Sequence, residues 1–269
     1  MYNLLKGKKG IIFGALDEKS IAWITALKCS EEGAQIVLSN APVAMRMGEI
    51  NKLAEKINAP VIACDVSNGE DVENLIIKTM EHFGGGFDFI LHSIGMSLNV
   101  RKGKHYTEID YTHNLKTFEI SSMSLHRVLA ACMRHDALNE WGSVVALTYI
   151  AAQRVFPDYN EMADAKSLLE SVARSFGYHY GVKKHVRINT VSQSPTRTTA
   201  GSGVKGFDGF ISYAEKMSPL GNASAEDCGN YCVTLFSDLT RMVTMQNLFH
   251  DGGFSNTGVT SGVIEQMEK

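Results

Sequence analysis

The sequence predicts an α/β fold: one doubly wound domain on a parallel sheet, with helices on both faces. Two observations predict it. Seven short runs, nearly continuous in apolar or β-branched residues, alternate with segments of helical length from residue 8 to about residue 250. No Pro/Ser-rich linker, repeat or low-complexity tract interrupts the alternation, so a single domain over residues 1–269 is preferred to two. Strands alternating with helices imply βαβ units with right-handed crossovers and hence a parallel sheet.

The elements follow in order. The first strand, residues 10–13, is Gly-Ile-Ile-Phe, and a helix follows over 20–32. The second strand, 35–39, leads into a helix over 43–56. After the third, 61–64, comes a helix over 70–83, where Val72, Leu75, Ile76, Met80 and Phe83 recur at helical spacing with Glu73, Lys78 and Glu81 between them. The fourth strand, 87–92, precedes a helix over 114–136. The fifth, 143–148, precedes one over 159–180. The sixth, 187–192, is followed by a helix over 224–237, opened by Ser224 with Glu226 and Asp227 in its first turn. The seventh strand is 245–249. The longest irregular stretches, 95–112 and 193–208, both follow strands, on the carboxyl edge where open α/β sheets bind ligands.

Composition narrows the partners. Apolar residues make up 44% and charged residues 20%, enough for a core and against disorder. A net charge of -3 argues against nucleic acid or an anionic membrane as principal partner. No apolar run approaches the roughly 18 to 20 residues of a membrane span, and the N-terminus lacks the apolar stretch of a signal peptide. Five cysteines, an odd number in a chain too large to need staples, predict reduced thiols and a cytoplasmic setting. Cys228 and Cys232 lie one turn apart with no second Cys or His pair nearby, so no metal site is expected. Twenty-four glycines against five prolines imply many tight turns.

Several turns sit where a ligand would. A dinucleotide site needs a glycine turn after the first strand, so that backbone can approach a pyrophosphate at a helix N-terminus. The segment from Gly14 to Ala22 keeps only Gly14 of the usual three glycines. Alone it reads as an ordinary strand-to-helix turn with Ser20 as N-cap. Strand three, however, places Asp65 just past its end, strand four ends His92-Ser93-Ile94-Gly95, and strand five ends Leu147-Thr148-Tyr149. Together these outline the rim of a dinucleotide cleft. After strand two, Ser39-Asn40-Ala41-Pro42 offers no acid for a ribose 2'-hydroxyl, and no Arg or Lys for a 2'-phosphate arrives before Arg46.

The segment Tyr159-Asn160-Glu161-Met162-Ala163-Asp164-Ala165-Lys166 is the most informative. Seven residues are nearly two helical turns, so Tyr159 and Lys166 share a face, about 10 Å apart along the axis. Both side chains are long enough to converge on one ligand. An ammonium near a phenol favours the phenolate, lowering its pKa and helping it donate a proton. Tyr149, ten residues earlier, would add a second phenol. By spacing alone, an aromatic helix start plus a solvated lysine is the commoner reading, since Tyr and Lys at this spacing are frequent.

With Tyr149, Tyr159 and Lys166, Gly14 with Ser20-Ile21-Ala22, His92-Ser93-Ile94-Gly95, Ser194-Pro195-Thr196-Arg197-Thr198 and His250-Asp251-Gly252-Gly253-Phe254, the chain resembles the short-chain dehydrogenase/reductase superfamily. Within it, the chain is similar to the NADH-using bacterial enoyl-acyl-carrier-protein reductases, which carry Tyr and Lys seven apart with a second Tyr upstream. The resemblance spans nearly the whole chain and implies a Rossmann-like fold with a seven-stranded sheet. It implies reduction of the double bond of trans-2-enoyl thioesters in fatty-acid elongation. A short-chain ketone or alcohol dehydrogenase and a catalytically silent dinucleotide sensor stay open as alternatives.

The resemblance also assigns roles. Tyr159 donates to the thioester carbonyl, Lys166 holds the nicotinamide ribose, and Tyr149 flanks the acyl chain or assists. Gly14, Ser20 and Ile21 line the pyrophosphate, and Asp65 and Val66 the adenine. Ser93, Ile94 and Gly95, with Pro195, Thr196 and Thr198, complete the cofactor site. Met96, Ser97, Tyr149 and Tyr159 line the substrate, and residues from about 195 to 218, including Gly201 and Gly203, form a covering loop and helix. NADH is the implied cofactor, with NADPH left open. Acyl carrier protein and further copies of the chain, as a homotetramer, are the implied partners, and the segment 245–254 reads as core and subunit contact.

The chain departs from the family in two places besides strand two. Gln193-Ser194 stands where small residues are commoner. Where many relatives carry a basic cluster on the covering helix for the acidic carrier protein, this chain has Lys205 with Asp208 and Gly209. His92 and His250 read as structural histidines. Arg101-Lys102-Gly103-Lys104-His105 reads as a solvated loop, or as a contact for phosphates of cofactor or carrier.

Overall fold

Seven strands, all parallel, form one sheet in the order β3-β2-β1-β4-β5-β6-β7 in a computed structural model that describes residues 2–46, 49–199 and 206–268. In chain order the elements are β1 (Lys9–Phe13), α1 (Ile21–Glu31), β2 (Gln35–Asn40), α2 (Pro42–Arg46), α3 (Ile50–Ile57), β3 (Val61–Ala63), α4 (Gly69–Phe83) and β4 (Phe87–His92). Then come α5 (Leu98–Arg101), α6 (Tyr111–Phe118), α7 (Ser124–Arg134), β5 (Leu138–Thr148), α8 (Asn160–Lys184) and β6 (Arg187–Gln193). The chain finishes with α9 (Phe207–Met217), α10 (Ala225–Phe236), β7 (Asn247–His250) and α11 (Ser261–Met267). The expected seven-stranded doubly wound sheet is present.

The strand period of two builds both faces of the sheet. Ile11, Phe13, Val37, Ile90, Val144 and Ala146 point to one side, where α4, α7 and α8 supply Leu75, Leu129 and Leu169. Ile12, Leu38, Phe89, Leu91, Val145 and Leu147 point to the other, against Trp23 of α1, Leu53 of α3 and Phe236 of α10. Phe89 stacks on Phe236 with ring centroids 4.6 Å apart. Both faces are dry, which is why the central strands read as continuous apolar runs.

Four expected elements differ. The helix expected over 43–56 becomes α2 and α3, with 47 and 48 outside the described residues. The helix expected over 114–136 starts at Tyr111, capped by Asp110, and is interrupted by a π-helical turn at Glu119–Met123. There Ser122 Oγ donates to Ala165 O (2.5 Å) and Ser124 Oγ to Ile120 O (2.6 Å), so serine hydroxyls bond backbone carbonyls and the turn widens. Strand β5 begins at Leu138, before the apolar run, because a register shift against β4 and the left-handed Trp141 (φ 61°) interrupt its period. The last strand starts at Asn247 rather than residue 245, Met245 lying at φ 60°. Within the irregular stretch 95–112 lie α5 and a 3-10 turn, Tyr106–Glu108. The helical part of the expected covering segment is α9. Residues 200–205, with Gly201, Gly203 and Lys205, lie outside the described residues.

Candidate active site

The carboxyl ends of β1, β4, β5 and β6 converge on the start of α8. Gly14 leaves β1 at φ 92°, and a Cβ there would stand 2.0 Å from the backbone oxygen of Ser93. Only glycine lets the two strand ends close in this way. Ser20 occupies the N-cap position of α1 but does not cap it: its Oγ donates to Asp17 O (2.8 Å) and accepts from Leu16 N (3.2 Å). The first turn of α1, beginning at Ile21, therefore has no side-chain cap; Trp23 N and Ile24 N donate to Ser20 O, which leaves the amides of Ile21 and Ala22 to meet an anion. Such a turn suits an anionic group. Asp65 is exposed just beyond β3, where it accepts from Ser67 N (2.9 Å) and Ser67 Oγ (2.7 Å), while Val66 is buried.

Lys166 is buried on the second turn of α8, 7% exposed. Its Nζ donates to Leu147 O (2.9 Å) at the end of β5 and to Ile94 O (3.4 Å) beyond β4. Gly95 sits beside it, so that a Cβ there would lie 3.7 Å from Lys166 Nζ. Burial lowers the ammonium to about 8, opposed by the Glu170 carboxylate one turn on. Glu170 is itself buried and accepts from Thr148 Oγ1 (2.9 Å) and Gln153 Nε2 (3.1 Å).

Tyr149 and Tyr159 face each other with ring centroids 5.2 Å apart. Burial pushes the Tyr159 phenol up to about 12 and raises Tyr149 as well. This corrects the expectation that Lys166 draws the phenol downward: desolvation governs Tyr159 and keeps it protonated. A proton-loaded phenol is a hydrogen-bond donor, the role the resemblance implies for it.

Further aromatic rings pack around this pair, of which the sequence motifs include only Phe254. Phe156 packs on Tyr149 (5.2 Å between centroids), on Phe210 of α9 (5.7 Å) and on Phe254 (6.3 Å), and Tyr213 meets Phe254 edge-on at 5.8 Å. Met162, one turn from Tyr159, closes the other side with Val100 and Phe118. The sequence signals among them are Phe156, three residues before Tyr159, and Phe254, which closes the His250–Phe254 motif. Phe210 and Phe254 arrive from distant elements.

The loop after β4 is braced from beneath. Ser121 Oγ accepts from Met96 N (3.0 Å) and donates to Met96 O (3.2 Å), leaving Met96 half-buried at the cleft. Ser97, expected to line the substrate, turns inward instead. It is 4% exposed, its Oγ donating to Glu161 (2.6 Å) and accepting from Val100 N (3.0 Å) as the cap of α5. Thr117 also reaches the wholly buried Glu161 (3.1 Å).

After β6, Gln193 holds the loop carrying Pro195, Thr196 and Thr198. Its Nε2 donates to Ala223 O (2.9 Å) and Thr196 Oγ1 (3.2 Å), and its Oε1 accepts from His250 Nδ1 (2.6 Å). The unexpected residue at 193 is thus a clasp between β6, β7 and the start of α10. Thr199 Oγ1 bonds Asp17, tying this loop to the one after β1. His92 is structural, as expected: burial, with Lys166 nearby, lowers it to about 3, and its Nε2 donates to Ser124 Oγ (2.8 Å).

The fold and this Tyr149–Tyr159–Lys166 constellation define a dinucleotide-binding oxidoreductase of the short-chain type. More particularly, a family profile described as enoyl-(acyl carrier protein) reductase matches residues 14–255, and the chain belongs to that family. Among its relatives, enoyl-[acyl-carrier-protein] reductase [NADH] 2 of Rhizobium meliloti is 32% identical over 262 residues, 96% of each chain. The FabI enzyme of Bacillus subtilis is 29% identical over 94% of this chain and 98% of its own length. Among solved structures, the FabI–NADH complex from Alistipes finegoldii is 64% identical, covers 96% of this chain and 92% of that one, and superposes with a TM-score of 0.95. The NADH enoyl reductase of Aquifex aeolicus gives 0.88 at 32% identity, over 96% of this chain and all of that one. Among the described residues no helix is long and apolar enough to cross a membrane, and no cluster of His, Cys, Asp and Glu could hold a metal ion.

Proposed function

We propose that the chain reduces the carbon–carbon double bond of trans-2-enoyl thioesters presented by acyl carrier protein, using NADH. The observation that carries this is the pair of buried phenols with rings 5.2 Å apart, packed with Phe156, Phe210 and Phe254, beside a buried Lys166 held at the ends of β4 and β5. Both the fold and the family match support it.

The residues fit a bound dinucleotide. Gly14 lets the ends of β1 and β4 close on each other, and the uncapped first turn at Ile21 beside Ser20 suits the pyrophosphate. Asp65 and Val66 would border the adenine. Ser93, Ile94 and Gly95 with Lys166 would hold the ribose, and Pro195, Thr196 and Thr198 the nicotinamide. Asn40 spends its side chain on Ala15 O (3.0 Å) and on its own turn at Ala41 N (2.9 Å), and the turn Ser39-Asn40-Ala41-Pro42 carries no cation for a 2'-phosphate. That favours NADH over NADPH. The cofactor, when bound, supplies the hydride for the β-carbon.

The chain's own groups do the rest. Tyr159, protonated, donates to the thioester carbonyl oxygen and stabilises the negative charge that develops there. The rings of Tyr149, Phe156, Phe210 and Phe254 and the side chain of Met162 exclude water and take the acyl chain. Met96 borders the chamber, and Ser97 supports it from below through Glu161. Lys166 presents a fixed ammonium to the ribose hydroxyls.

The whole chain would act as one domain, with the segment 195–218 covering the substrate. Five buried free cysteines suit a reducing, cytoplasmic setting. Tyr178 and Val182 on the outer face of α8, and Val259 and Met267 near the C-terminus, are exposed and suit subunit contacts in a homotetramer. The deciding experiment measures initial rates on one enoyl thioester with NADH and with NADPH, and on a ketone of similar size. Faster turnover of the enoyl thioester with NADH is expected, and activity on the ketone alone would overturn the assignment.

A further inference from the structure

The turn that leaves α5 is unusual in its charge. Arg101, Lys102, Lys104 and His105 are all exposed. Among the described residues none of Arg101, Lys102 and Lys104 forms an ion pair, whereas Lys28, Lys116, Arg134, Lys184 and Arg197 each meet a carboxylate. The acids nearby are engaged or few. Asp110 caps α6 through Thr112 and His113 amides, Lys102 being close enough to help hold its carboxyl below the usual range. Asp164 accepts from Tyr106, and Glu108 stands exposed. A chain of net charge -3 therefore gathers, within four residues, three cations that form no ion pair among the described residues.

This turn is fixed in place. Gly103 N donates to Val100 O (3.0 Å) and Lys104 N to Asn99 O (3.1 Å), while Asn99 Nδ2 donates to Asp110 O (3.1 Å). Asn160 Nδ2 donates to Lys104 O (2.5 Å), and Tyr106 Oη to Asp164 Oδ2 (3.1 Å). Asn160 directly follows Tyr159, so the cations are pinned to the first turn of the helix that bears Tyr159 and Lys166. Across the chamber α9 carries Asp208, Glu215 and Lys216, and the lysine bonds Gln266 (3.1 Å). Arg197 beside it pairs with Asp208. The covering helix thus presents no unspent cation among the described residues.

We propose that Arg101, Lys102 and Lys104 form the docking surface for the acidic carrier protein that presents the enoyl thioester. The proposal rests on the enoyl-thioester reading above and names where its protein partner binds. Opposite charge brings the carrier to the rim of the chamber, and its tethered thioester enters beside Tyr159. The anionic cofactor is a poorer occupant, because the pyrophosphate cradle lies at Gly14 and α1, on the far side of β4.

The test compares the wild-type chain with R101E/K102E/K104E on two substrates bearing the same enoyl group. One is the acyl carrier protein thioester, and the other is the uncharged N-acetylcysteamine thioester. Charge reversal is expected to raise KM for the carrier-bound substrate about tenfold or more with kcat unchanged, and to flatten its salt dependence. The N-acetylcysteamine kinetics and KM for NADH should match wild type. An unchanged KM for the carrier substrate would overturn the proposal. A parallel loss on both thioesters would also overturn it, by pointing to a distorted pocket, and a raised KM for NADH would assign the cations to the cofactor. If the wild-type chain turns over neither thioester, the enoyl-reductase reading itself fails, and the docking surface with it.

Discussion

The rings of Tyr149 and Tyr159 stand with centroids 5.2 Å apart and planes tilted by 55°, one at the end of β5 and the other at the start of α8. Phe156, between them in sequence, packs on Tyr149 and extends the wall toward α9. Tyr149 therefore contributes a ring to the chamber as well as a hydroxyl. Tyr149→Phe keeps the ring and is expected to cost less than about tenfold in kcat, since a neutral hydrogen bond is worth roughly 1 kcal/mol. Tyr149→Ala removes the wall and should raise KM for the enoyl thioester as well. Steady-state kinetics on one thioester separates the two effects.

Lys166 sets a pH dependence whose sign is defined. Its folded value, about 8, lies below the ordinary 10.5, so between the two the unfolded chain binds more protons. Below about 8 the cost of burying the ammonium is felt in full, and it is relieved as pH rises toward 10.5. Stability from this group thus rises with pH, whereas the charged contact with the ribose is lost over the same range. NADH affinity, followed by fluorescence titration, should weaken as pH rises through about 8 in the wild-type chain. Lys166→Gln should bind more weakly throughout and show no such inflection.

Gly14 joins fold and cofactor. At φ 92° a side chain is strained, and its Cβ would press on Ser93 O at 2.0 Å. Gly14→Ala should destabilise the chain by about 1–3 kcal/mol from the backbone alone. Because β1 and β4 would part at the pyrophosphate cradle, NADH binding should fall with it. Thermal unfolding with and without NADH checks both, and the stabilisation given by the cofactor should shrink in the variant.

Glu161 braces the loop after β4. Its Oε1 accepts from Ser97 and Thr117, and its Oε2 is buried without a partner among the described residues. Glu161→Ala strips Ser97 of its acceptor and opens a cavity, and should cost about 1–3 kcal/mol. Glu161→Gln retains an acceptor oxygen and should cost less. Chemical denaturation of the two variants tests the order.

The fold was legible because both sheet faces are dry: runs such as Ile11-Ile12-Phe13 and Val144-Val145-Ala146-Leu147 can be little else than central strands. Tyr149, Tyr159 and Lys166 were legible as a spacing; the structure packs the two tyrosine rings together and buries Lys166 against the ends of β4 and β5. Less visible were features that depend on tertiary contact. The inward turn of Ser97 needs Glu161, which is distant in sequence. The chamber needs Phe210 and Phe254 from elements that meet only after folding. The raised Tyr159 phenol follows from burial, which residue spacing does not report. Likewise the π-helical turn at Glu119–Met123 and the register shift of β5 answer to hydrogen bonds across elements, where local periodicity carries no signal.

Tyr159→Phe tests the central claim most directly, measured as paired NADH affinity and single-turnover reduction of one enoyl thioester. NADH affinity should be unchanged and the reduction rate about a hundredfold or more lower, the loss expected when a donor to a developing oxyanion is removed. Reduction at the wild-type rate by a folded, NADH-binding Tyr159→Phe chain would contradict it.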